Sequence, residues 1–80
     1  MGENNLTLII GDDWEGIYHD GLLIYEGHEV QRRELVNLMK SHETFNVEFK
    51  ALNDMGIDWL HEEGSLPEYI SGIPYQCIEQ

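Results

Sequence analysis

Sixteen carboxylates, four histidines and one cysteine are the side chains from which chemistry could start in this chain. Three His-Glu pairs occur, His28-Glu29, His42-Glu43 and His61-Glu62. A zinc-protease helix needs a second histidine four residues after the first, on the same face. Those positions hold Arg32, Asn46 and Ser65, so none of the pairs qualifies. The Asp12-Asp13 and Asp20-Gly21 segments lack the alternating oxygen ligands of a calcium loop. The metal option left is a site assembled in space from His19, His28 and carboxylates, which would make a small metal-dependent enzyme; surface histidines without such a role are the commoner reading. Cys77 beside a distant histidine would be a nucleophile pair, but a free cysteine more often serves as a small buried apolar residue. The chain has no glycine-rich phosphate loop, no dinucleotide fingerprint and no Gly-x-Ser-x-Gly elbow. The expectation is a protein without catalytic residues, cofactor or metal.

Charge is the stronger signal. Sixteen acids against four bases give a formal net charge of −12 in 80 residues. Small domains usually sit at a magnitude of about 2–8. Arg32, Arg33, Lys40 and Lys50 are the only bases, so residues 1–31 and 51–80 carry none. Such self-repulsion costs stability, and a partner with a basic surface would offset it. Trp14, Tyr18, Tyr25 and Trp59 could form a base-stacking platform, but such platforms come with positive grooves. Here Asp12, Asp13, Glu15 and Asp20 flank the aromatics, which disfavours direct nucleic acid binding and favours core or protein-interface roles.

The length fits one domain spanning residues 1–80, and a 41% hydrophobic content supports one small core. A single cysteine allows no internal disulfide. The N-terminal residues do not read as a signal peptide, and no apolar run approaches the roughly 20 residues of a membrane span. These features point to a cytoplasmic setting and no membrane partner.

The elements that would position the acids follow from pattern. Leu6-Thr7-Leu8-Ile9-Ile10 reads as a buried strand. Residues 14–19 and 22–26 read as two strands joined by Asp20-Gly21, a strong hairpin signal. An unbroken two-residue hairpin would set 19 against 22, 17 against 24 and Glu15 against Glu26, an unfavourable pair of like charges. It would also leave both faces apolar, so a further layer, or a partner, has to cover the second face. Residues 29–42 read as a helix carrying Val30, Leu35, Leu38, Met39 and His42 on one side, with Glu29 in its first turn, four residues before Arg33. Phe45, Val47 and Phe49 alternate with polar residues as in a half-buried strand, which the helical crossover could make parallel to an earlier one. Residues 57–63 read as a short helix with Asp58 as N-cap and Gly64 past its end. Residues 65–68 could open another helical turn, and residues 75–78 a short edge strand or a loose tail. The sum is an α+β domain: a small antiparallel sheet with an N-terminal β-hairpin, one main helix packed on it, a further strand and a short C-terminal helix.

Trp14-Glu15-Gly16-Ile17-Tyr18-His19-Asp20-Gly21, closed by Glu26-Gly27-His28, resembles the hairpin of small acidic bacterial and phage proteins. Trp59-Leu60-His61-Glu62-Glu63-Gly64-Ser65-Leu66-Pro67 resembles their C-terminal segment. The resemblance implies a mobile-element origin and, by class, a phage inhibitor of host defence of the anti-restriction or anti-CRISPR type. The resulting expectation is an acidic inhibitor that occludes the basic, nucleic-acid-binding surface of a host protein. Its partner-binding residues would be Asp12, Asp13, Glu15, Asp20 and Glu26 on the hairpin, with Asp58, Glu62 and Glu63 on the C-terminal helix. The rival readings are a homodimeric structural or regulatory module, joined through the second sheet face, and the metal-dependent enzyme.

Overall fold

The computed structural model describes residues 5–44 and 46–79. Four strands, β1 (Asn5–Ile10), β2 (Glu15–His19), β3 (Leu22–Gly27) and β4 (Asn46–Ala51), form one sheet in the order β3-β2-β1-β4. The first three are antiparallel neighbours, and β4 lies parallel to β1, with Leu6 against Val47 and Leu8 against Phe49. Helix α1 (Arg32–Ser41) supplies the crossover that a parallel pair requires, and α2 (Asp54–Glu63) follows β4. The molecule is therefore α+β, as its pattern implies, with a mixed sheet. Phe45, expected to begin the fourth strand, lies outside the described residues.

Each face of the sheet is closed by the chain itself. Leu6, Leu8 and Ile17 face α1 and pack with Ile24, Tyr25, Val30, Leu35, Leu38 and Met39. On the other side Ile9, Tyr18, Leu52, Leu60, Leu66 and Ile73 form a second buried cluster under α2 and the segment after it. The second apolar face is thus covered by residues 52–78, which closes the route to a homodimer through that face.

The hairpin turn is as its sequence dictates. Asp20 and Gly21 both have positive φ, 52° and 89°, and His19 opposes Leu22. The ladder beyond it departs from the unbroken register. Tyr18 pairs with Leu23 but Ile17 pairs with Tyr25, so Ile24 is an extra residue and β3 carries a bulge. Glu15 then faces Gly27 and Glu26 faces Gly16, instead of each other. The bulge removes the like-charge pair and sends the two carboxylates to opposite faces. It also moves Tyr25 to the α1 side.

Helix α1 starts later than residue 29. Gln31 is its N-cap, Glu34 is the acid in its first turn, and Glu29 and Val30 precede it. The backbone N–H of Val30 donates to Glu15 Oε1 at 2.9 Å, which holds that residue outside the helix and removes the expected Glu29–Arg33 helical pair. Helix α2 starts earlier than residue 57. Asn53, not Asp58, is the N-cap, and its Oδ1 accepts the Gly56 N–H at 2.8 Å. Gly64 ends it at φ 84°, the left-handed position that glycine takes most readily.

The segment after α2 forms no further α-helical turn at 65–68. It runs as a strap along β3: Leu23 N–H donates to Glu68 O and Ile70 N–H to Gly21 O, each at 2.8 Å. Short 3₁₀ turns follow at Ile70–Gly72 and Tyr75–Cys77. Ile78 makes an antiparallel bridge to Leu52, so the end of the chain is tied down without forming a strand. Cys77 is 3% exposed, the small buried residue expected of a lone cysteine.

Candidate partner-binding surface

The acids named from the sequence fall into two groups by what their carboxylates touch. Glu15 and Glu26 are half-buried and bonded internally. Glu26 Oε1 accepts the Trp14 indole N–H at 2.9 Å and the Leu66 N–H at 3.2 Å. It therefore joins the turn before β2, strand β3 and the strap. Asp20 caps the far end of the hairpin, where its Oδ1 accepts the Asn5 N–H at 3.0 Å and its Oδ2 lies 3.8 Å from His19 Nε2. Asp12, Asp13, Asp58, Glu62 and Glu63 are exposed.

The turn that carries Asp12 and Asp13 meets the C-terminal end of α2. The β1–β2 turn is folded tightly, with Gly11 N–H donating to Trp14 O at 2.8 Å. A Cβ on Gly11 would come within 3.2 Å of Leu60 Cδ2, so the turn is pressed against α2. Asp13, Trp14, Leu60, His61 and Gly64 line a cleft of about 210 Å³ between this turn and the C-terminal end of α2. Glu62 and Glu63 are in that same last turn of the helix. Asp20, at the opposite end of the hairpin, is separated from this group.

Pattern reading missed Asp54. With the helix beginning at Asp54, Asp54, Asp58 and Glu62 stand at i, i+4 and i+8, and all three are exposed. At 1.5 Å rise per residue the carboxylates repeat about every 6 Å along one stripe. Like charges four apart destabilise a helix, as do acids in its last turn. The signal that could have found Asp54 is Asn53 itself, a favoured N-cap residue placed one turn before the apolar spacing becomes visible.

The aromatics divide likewise. Tyr18 is fully buried and its hydroxyl donates to Pro67 O at 2.6 Å. Burial, with the Glu26 carboxylate adding to it, pushes its phenol well above the ordinary tyrosine range. Trp59 and Tyr25 pack against the two clusters. Trp14 is held by Glu26 and by the His28 ring, edge-on at 5.1 Å and 81°.

His19 and His28 lie at opposite ends of the hairpin: His19 stacks on His42, centroids 4.1 Å apart, and His28 Nδ1 lies 3.3 Å from the Asp13 carbonyl oxygen. Among the described residues no group of three or more His, Cys, Asp or Glu side chains is arranged to hold a metal ion. No helix among them is long and apolar enough to cross a membrane. No family model, no curated protein and no solved structure matches this chain.

Proposed function

We propose that this protein is an acidic inhibitor, of the phage anti-defence or DNA-mimic kind, that binds the basic nucleic-acid-contacting surface of a host protein. The observation carrying the reading is the set of exposed acids, the Asp54-Asp58-Glu62 stripe along α2 with Asp12, Asp13 and Glu63, all in segments of the chain without a single Lys or Arg. Duplex DNA carries one charge per about 1.7 Å of axis, so the stripe is sparser than a phosphate track. Held on a rigid helix, its carboxylates compete with phosphate for arginines and lysines. Glu62 and Glu63, in the last turn of α2, oppose the dipole of the helix they sit on, a local conflict expected at a functional surface.

The reading is tested by immobilising the protein, passing host lysate over it, and eluting with rising salt. Recovered proteins should be basic nucleic-acid binders, released at moderate salt, and adding the acidic protein should block their binding to DNA. Recovery of only acidic or membrane proteins, held without regard to salt, would sink it. Replacing Asp12, Asp13 and Glu15 with Asn, Asn and Gln should remove partner binding, since two of the three charges are exposed. The variant should stay folded, because a glutamine at 15 keeps an oxygen for the Val30 N–H.

A second reading is homodimerisation through the outer edge of β4, where Phe49 is 63% exposed. Light scattering across concentrations separates the two, since a strict monomer removes the second.

A further inference from the structure

We infer that the cleft between the β1–β2 turn and the end of α2 receives one arginine side chain of a protein partner. The inference rests on the reading of the exposed acids as a surface for a basic protein, and it names the anchor of that contact. Size argues first. Small-molecule pockets run to roughly 300–1,000 Å³, and this cleft, at about 210 Å³, is the size of a side chain.

The lining argues for a planar cation. Asp13, Trp14 and Leu60, an acid, an aromatic and a buried apolar residue, are among the residues that line it, the set that a charged head on an apolar stem would need. His61 and Gly64 place the C-terminal end of α2 at the cleft. Gly64 N–H donates to the Leu60 carbonyl at 2.9 Å, and the carbonyls of residues 61–63 lie past the last helical donor, where the helix presents its negative end. A guanidinium stacks on an aromatic ring, donates in a fork to a carboxylate and is weakly hydrated, so it loses less on entering such a site than an ammonium does. An apolar side chain would desolvate Asp13 without pairing it. An anion would find no Lys or Arg in the segments that form the cleft, since residues 1–31 and 51–80 hold neither, and would lie beside Asp13.

The site is also built in advance. The Trp14 indole is held by Glu26 at 2.9 Å, and the turn that carries Asp13 is closed by the Gly11-to-Trp14 hydrogen bond. A wall fixed before binding lowers the ordering cost of association.

The test is a nitrogen-15 NMR titration of the full chain with three capped tripeptides, Gly-Arg-Gly, Gly-Lys-Gly and Gly-citrulline-Gly. The arginine peptide should move the amides of Asp13, Trp14, His61 and Gly64 and the Trp14 indole N–H, saturably and together. The lysine peptide should bind more weakly, and the neutral citrulline peptide should leave these signals unmoved. Asp13→Asn, an exposed change that keeps the fold, should lower arginine affinity about threefold. Trp14→Leu should lower it about tenfold, and Trp14→Phe should restore most of the loss. Shifts confined to the Asp54-Asp58-Glu62 stripe, with the cleft signals still, would overturn the inference and leave the broader reading standing. Equal shifts with citrulline would also overturn it. Arginine capture in the cleft by a protein that fails to displace any DNA-binding partner would keep the cleft and remove the inhibitor.

Discussion

Glu26 is the residue on which the hairpin, its preceding turn and the strap meet. One of its carboxylate oxygens, Oε1, accepts two N–H groups, from Trp14 and Leu66. Replacing it with alanine leaves both donors half-buried and unpaired, and each unpaired group costs about 1–3 kcal/mol. Glu26→Ala should therefore lower the urea midpoint clearly, while Glu26→Gln, which keeps an acceptor oxygen, should recover most of the loss. Tyr18 allows a prediction with a sign. Its phenol is held protonated in the fold, whereas an unfolded chain releases the proton near pH 10. The native state then binds more protons than the unfolded state, so this contribution to stability is complete below about pH 10 and falls as pH rises beyond it. Denaturant midpoints at pH 9 and 11 should show the drop, and Tyr18→Phe should make it shallower. The same variant loses the bond to Pro67 O, about 1 kcal/mol at pH 7.

Asn53 does more than cap α2. Oδ1 takes the Gly56 N–H, Nδ2 donates to Gln76 O at 2.8 Å, and its backbone N–H donates to Cys77 O at 2.9 Å. The helix start and the chain end are thereby fixed by one residue. Asn53→Ala should cost about 2 kcal/mol, the upper range for a lost cap. Hydrogen exchange should quicken in both the first turn of α2 and residues 77–79. Asp58→Ala, by contrast, removes an exposed mid-helix acid and should leave stability within about 0.5 kcal/mol. Gly16 is the other sensitive position. A Cβ there would overlap Leu66 Cδ1, so Gly16→Ala should force that buried side chain to shift and lower the melting temperature.

At the scale of the molecule the charge is unevenly placed. Three of the four bases are on α1, and the C-terminal residues 51–80 have none. Carboxylates that outnumber bases repel one another, and salt screens them over a Debye length of about 10 Å at 0.1 M. Melting temperature should therefore rise between low and moderate salt. Replacing Asp54, Asp58 and Glu62 by Asn, Asn and Gln should reduce that rise and raise the melting temperature at low salt, while weakening partner binding. Loss of the salt response without loss of binding would mean that the stripe only solvates the helix.

Local chemistry decided much of this fold in advance. β-branched and apolar alternation specifies β1 and β4, Asp20-Gly21 specifies the turn, and Gly64 specifies the end of α2, because each depends on backbone preferences a few residues long. The acid count and its asymmetry are likewise properties of the chain. What the sequence left open depended on groups far apart along it. The bulge at Ile24 becomes favourable only when Glu15 can meet Val30 and Glu26 can meet Trp14 and Leu66, forty residues away. The path of the segment after α2 depends on Asn53 finding Gln76 and Cys77, and the end of α1's lead-in on Glu15. Which acids stay exposed and which serve the core was therefore set by tertiary contact, since a carboxylate's role follows from the donors brought to it, and those donors come from other elements.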